Sequence, residues 1–190
     1  MKNSISILCA ALILVSCNGK DDRIVSETPV DSSMMGVLLC NTYSSEQSLS
    51  DTFQRTTGAA MTSSSSYDGG VRTVSLFPDE EVFIFGGYPW LYANVLLDRH
   101  DAACAISLFN GYDSKGEARK AFNGIQDFLS GKFGEANKSS EKGLETRMWT
   151  DNTNSVGVRL YKWDAGNGSE KWICEMYEVN VNLYNALSGN

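Results

Sequence analysis

From residue 71 to residue 110 apolar and polar positions alternate in short runs. The segments 71–77, 81–86, 90–98 and 102–110 are rich in Val, Leu, Ile and aromatic residues, and Pro78-Asp79, Gly86-Gly87-Tyr88-Pro89 and Arg99-His100-Asp101 separate them. That punctuation is expected of strands joined by tight turns. Within 90–98, Leu91, Ala93, Val95 and Leu97 point one way and Tyr92, Asn94 and Asp98 the other, as a strand with one buried face requires. The period then lengthens. Ala118, Ala121, Phe122, Ile125, Phe128 and Leu129 recur at three- and four-residue steps, which predicts a helix over 115–132 with one broad apolar stripe. Ser114 and Glu117 have the spacing of a capping box, in which hydroxyl and carboxylate satisfy the first free amides. Gly134 offers a left-handed stop.

Beyond the helix, 145–150, 156–163 and 171–179 read as three more strands, linked by the turn formers Asp151-Asn152-Thr153-Asn154 and by 164–169. Val156, Val158 and Leu160 share one face, opposite Arg159, Tyr161 and Trp163. Signals elsewhere are weaker. The apolar stretch 34–41 predicts a buried strand, 44–61 a weak helix, and 180–190 a short one. The serine run in 62–70 has the composition of a mobile connection. Strands, one long helix and more strands, without βαβ alternation, predict an α+β fold: an antiparallel sheet meander with one long amphipathic helix packed on one face.

The first residues carry a different message. Lys2 precedes an apolar run, residues 5–15, of roughly eleven residues, within the range of a signal h-region and too short to span a bilayer. It ends in Leu14-Val15-Ser16-Cys17, which resembles the lipobox of bacterial lipoproteins. The resemblance implies a signal peptide over 1–16, removed before Cys17, and acylation of Cys17 at its thiol and its new amine. Two or more acyl chains hold a protein stably at a bilayer. Lys20-Asp21-Asp22 just past the cysteine resembles the surface-export signal of Bacteroidota lipoproteins, which implies the outer face of the outer membrane, with the periplasmic face as the alternative. Residues 17–33 are expected to be lipidated cysteine and tether, and 34–190 one domain. The stretch 109–177, with Lys132-Phe133-Gly134, Trp149 and the Val156-x-Val158-x-Leu160 strand, is similar in pattern to small lipoproteins of Bacteroidota, a likeness that implies no activity.

Charge narrows the partners. Lys2 would leave with the signal, so of 16 basic residues 15 remain against 23 acidic ones, a formal charge of −8. A net acidic domain repels phosphate backbones, so no nucleic acid partner is expected. Past Cys17 there are three cysteines, Cys40, Cys104 and Cys174, each among apolar neighbours. An odd number leaves at least one thiol over, and buried free thiols are favoured over one bridge. No Cys-x-x-Cys pair indicates zinc or redox chemistry.

Candidate chemistry is thin, and no catalytic residue, metal or cofactor is expected. His100, the one histidine, sits between Asp98 and Asp101, where a turn accounts for it, and no second histidine completes a typical catalytic zinc site. Asp79-Glu80-Glu81 and the Glu175/Glu178 pair could supply the two carboxylates of a glycosidase, yet acidic clusters are usually solvated. Asp164, Asn167 and Ser169 lack the spacing of a calcium loop, and Gly86-Gly87 lacks the rest of a phosphate loop. What stands out is aromatic content, in particular Tyr92, Tyr161 and Trp163, which fall opposite the core-facing positions. Rings exposed on a sheet stack on sugars or anchor protein partners. The sequence therefore points to a membrane-anchored, non-enzymatic binding module for a glycan or an envelope protein. The alternatives are an envelope hydrolase with carboxylates or His100 gathered in a cleft, and an inhibitor or assembly subunit.

Overall fold

A computed structural model describes residues 24–26, 28–33, 35–37, 39–68, 70–164 and 169–188. The expected signal and Cys17 lie outside the described residues, as do 165–168 of the last expected hairpin loop. The architecture is α+β, with three helices and an antiparallel eight-stranded sheet among the described residues.

The chain enters along the sheet edge and then forms α1 (Glu46–Thr57). The Ser45 side chain accepts from the Ser48 amide at its start, and Gly58 closes it at φ 75°, in the left-handed region. Strands β1 (Met61–Asp68) and β2 (Val71–Pro78) form a hairpin, β3 (Phe83–Phe85) and β4 (Tyr88–Trp90) a small separate ribbon. Next come β5 (Tyr92–Leu97), β6 (Ala103–Tyr112) and α2 (Lys115–Phe133). After α2 follow β7 (Asn137–Glu141), β8 (Leu144–Thr150), β9 (Asn154–Asp164), β10 (Glu170–Asn180) and α3 (Val181–Ser188).

The sheet runs β1-β2-β5-β6-β10-β9-β8-β7. It is therefore not one continuous meander: two meanders meet where β6 pairs with β10, and α2 carries the chain from the middle of the sheet to its far edge. The Ser114 hydroxyl accepts from the Glu117 amide at 3.2 Å, capping the α2 start, and donates to the Glu117 carboxylate at 2.8 Å, which thus bonds the hydroxyl and not the backbone amide of a full capping box. Ala118, Phe122, Ile125, Leu129 and Phe133 of α2 are buried, on the side of β6, β9 and β10. They share one core with Val95, Leu97, Ile106, Leu108, Val156, Val158, Leu160 and Met176 from the sheet, and with Met35, Val37, Leu39, Leu49 and Phe53 from the N-terminal part.

Three expectations are corrected. The serine run is a strand: β1 pairs with β2 over all eight of its residues, because a backbone ladder needs no apolar side chain and β2 supplies the template. Conversely, the described part of 34–41 is a set of turns. Met35, Val37 and Leu39 are buried, but the backbone there bonds locally, Gly36 to Ser33 and Leu39 to Ser32, before Cys40 and Asn41 bond Ala103 of β6 beside one antiparallel bridge of Thr42 with Ala102, so apolarity at 35–39 reports burial and not extension. Nor are residues 24–33 a free tether where they are described. The Ser26 amide bonds the Thr150 carbonyl, Ile24 bonds Asn137, and the Val30 amide bonds Asp151.

Single residues differ too. Cys40 is exposed at φ 70°, while Cys104 and Cys174 are buried, and all three thiols are free. Leu91 precedes β5 and is exposed. Trp90 and Trp149 are core residues whose indole N–H groups donate to the carbonyls of Phe85 and Gly134. Among the described residues, no helix is long and apolar enough to cross a membrane.

Candidate functional site

The two faces of the sheet are built from different chemistry. Toward α2 the strands present mostly apolar residues, with Glu178, Glu145 and Arg147 among them. The opposite face presents Ser75 on β2, Tyr92 and Asn94 on β5, Ser107 and Phe109 on β6, Glu175 and Tyr177 on β10, and Arg159 and Tyr161 on β9. Register brings these together from neighbouring strands. Tyr92 lies opposite Phe109, Phe109 opposite Glu175, Glu175 opposite Arg159, and Arg159 opposite Thr146. One step along, Ser75, Asn94, Ser107, Tyr177 and Gly157 form a second transverse row.

Glu175 is the centre. Its Oε1 accepts a hydrogen bond of 2.9 Å from the Ser107 hydroxyl and lies 3.7 Å from the Arg159 guanidinium. Both charged side chains are almost wholly buried, at 4% and 5% exposure. Burial raises the Glu175 pKa above the usual carboxylate range, against the opposing pull of Arg159, Ser107 and Tyr161. Arg159 also lies over the Tyr177 ring, 4.2 Å from its centroid, a cation–π contact in a desolvated place. Burying an ion pair costs several kcal/mol per ion unless every remaining polar atom is satisfied. Here Arg159 Nε and Glu175 Oε2 have no hydrogen-bond partner among the described residues.

Aromatic rings wall this centre. Tyr92 stacks on Phe109 with centroids 4.7 Å apart and an interplanar angle of 11°, and Phe77 leans on Tyr92 at 5.9 Å. Burial, then the Glu175 charge, pushes the Tyr92 hydroxyl up to about 12 and raises Tyr161 further. Gly157 makes room for the Tyr177 ring: a Cβ there would lie 2.4 Å from the Tyr177 hydroxyl and 2.7 Å from the Arg147 carbonyl oxygen. Trp163, farther along β9 and 39% exposed, extends the same face to the end of the strand.

Of the residues singled out from sequence, Tyr92 and Tyr161 thus converge on Glu175 and are half-buried, while Trp163 stays open to solvent. Glu175 and Glu178 do not form a carboxylate pair. Glu175 lies opposite Phe109 and Arg159, whereas Glu178 lies opposite Ile106 and Val156 on the other face. His100 lies in an exposed turn, its amide and that of Ala102 both bonded to the Asp98 carboxylate. Among the described residues, no group of three or more His, Cys, Asp or Glu is placed to hold a metal ion. Sequence reasoning missed the roles of Arg159, Glu175, Ser107 and Gly157 at this centre. The available signal was a charge of each sign inside an otherwise apolar strand, Val158-Arg159-Leu160 and Cys174-Glu175-Met176.

The chain is thus an α+β protein with one mostly apolar sheet face and one more polar, aromatic-walled face. No family model matches it, and neither a curated protein nor a solved structure matches it.

Proposed function

We propose that the protein is a lipid-anchored envelope binding module that takes a glycan on the sheet face opposite α2, at the end where Tyr92, Tyr161 and Trp163 stand. In this reading α2 covers one face, α3 packs on the other around Ala105, Tyr177 and Val179, and the ligand is taken at the end of that second face where Trp163 stands open. The observation that carries it is the chemistry of that face. Its counterpart is mostly apolar apart from Glu178 and the Glu145–Arg147 pair, whereas this face gathers a buried ion pair, hydroxyls and an amide among stacked rings. Binding sites combine such apolar walls with a few convergent polar groups and perturbed titrating side chains. A sugar offers both an apolar C–H face and hydroxyls, matching rings beside donors and acceptors.

The anchor rests on the lipobox and Cys17, and the outer-membrane surface on Lys20-Asp21-Asp22. With two or more acyl chains the attachment would be stable.

The test is a glycan array probed with the full chain in detergent. Trp163→Ala and Tyr161→Ala are expected to weaken any hit at least about tenfold, on the scale of one lost aromatic anchor. Ile84→Ser, an exposed position on the β3–β4 ribbon, is expected to leave it unchanged. Binding that survives both aromatic substitutions would remove this face as the site.

A further inference from the structure

The two edges of the sheet are treated differently. At the β7 edge the strand has five residues, carries Lys138 and Glu141, and Asn137 is tied to Ile24 through both its amide groups. These are the devices by which proteins blunt an edge. At the other edge β1 is eight residues long, without Pro, Lys or a bulge, and bears one charge, Asp68, at its end.

The pairing type fixes which backbone groups β1 leaves open. The Asp79 amide donates to the Ala60 carbonyl at 2.9 Å, so residue 60 belongs to a hydrogen-bonded pair, and pair types alternate along an antiparallel ladder. Residues 62, 64, 66 and 68 therefore bond to β2. Met61, Ser63, Ser65 and Tyr67 turn their N–H and C=O groups outward, and among the described residues no backbone bond reaches them.

We infer that β1 is the contact by which two copies of this chain pair, antiparallel and about a two-fold axis at Ser64. In that register Met61 faces Tyr67 of the second copy and Ser63 faces its Ser65, so all four outward residues of each strand exchange bonds. The strand is self-complementary in its side chains as well. Tyr67, the most exposed large hydrophobic residue described at 72%, lands on Met61, a sulfur–aromatic pair on one sheet face. The serines at the centre let the strands approach, Asp68 meets Ala60, and the Glu46 carboxylate stays held by the Ser65 hydroxyl of its own copy. The result is one continuous sheet in which the eight strands of each copy are joined edge to edge.

The full chain in detergent, examined by sedimentation velocity over a concentration series, is expected to show a species of twice the protein mass. Ser65→Pro removes an outward N–H and the Ser65 hydroxyl's bond to the Glu46 carboxylate of α1, but no bond to β2, so it should abolish that species while the circular dichroism spectrum is kept. In a Cys40→Ser background, Ser64→Cys brings two thiols together in a non-hydrogen-bonded pair, about 4.5 Å apart at Cα and within disulfide reach. Exchange with glutathione disulfide, which leaves as two thiols, should give a covalent dimer. Thr62→Cys, which faces residue 66 of the second copy in this register, should not. A protein that stays monomeric at every concentration would overturn the inference. So would a dimer indifferent to Ser65→Pro, or equal cross-linking at 62 and 64. If Ser65→Pro does not fold, the comparison of the two cysteine variants decides.

Discussion

Asp151 holds three backbone amides at once, those of Thr153, Asn154 and Val30, at 2.6, 2.7 and 2.8 Å. Burial alone would raise its pKa, but the amides of Asn154, Thr153 and Val30 together keep it below the usual carboxylate range. Its contribution to stability is therefore complete above the unfolded value and lost as pH falls through the lower, folded one. Asp151→Ala should cost about 1.5–3 kcal/mol, the range for hydrogen bonds to a charged group. Urea unfolding at neutral and acidic pH should show that cost shrinking in acid. Glu175 runs the other way. Its folded pKa is raised, so the native state holds the proton more tightly, and its contribution declines as pH rises from the unfolded value through the folded one. Over that window Glu175→Gln should gain stability relative to the parent as pH increases; a difference flat with pH would contradict the buried carboxyl. Neither residue's role was legible in sequence. Asp151 was readable as a turn former, yet its bond to Val30 crosses 121 residues. Glu175 looked solvated because alternation tells which residues share a face, not whether that face is dry.

At the scale of elements, what the sequence discloses depends on where an element's stability resides. The α2 helix was legible because its apolar stripe and capping serine are side-chain signals; Gly134 ends it at φ 81° and ψ −141°, outside the left-handed helical region expected. The β1 strand was not, because its bonds are backbone bonds to β2 and its side chains bury little. The turns near 35–39 misled for the opposite reason, since core side chains there hang on a backbone that bonds locally. The α2–β8 contact adds polar pinning: Glu145 bonds Arg119 at 2.6 Å and Arg147 at 2.7 Å, and both guanidinium groups lie 5.3 Å from the Phe122 ring centroid. The β9–β10 pairing depends on Gly157. Gly157→Ala would drive a methyl into the Tyr177 ring and the Arg147 carbonyl, one neighbour being rigid backbone. A loss of about 1–3 kcal/mol or more is expected, read as a lower thermal midpoint. An unchanged midpoint would mean that Tyr177 does not cross β9 as described.

At the scale of the whole molecule, the proposed function needs an anchor, a body and one working face in a single chain. If Cys17 carries the acyl chains, Cys17→Ser should move the protein from the membrane to the soluble fraction. The central claim is that the face around Glu175, Tyr161 and Trp163 receives the ligand. The most direct measurement is amide hydrogen exchange of the full chain with and without a saturating glycan from the array. Slower exchange confined to the facing ends of β9 and β10, around 159–163 and 171–175, with α2 and the β3–β4 ribbon unaffected, is the predicted result. Protection on the α2 side, or no glycan that slows exchange anywhere on the sheet, would contradict it.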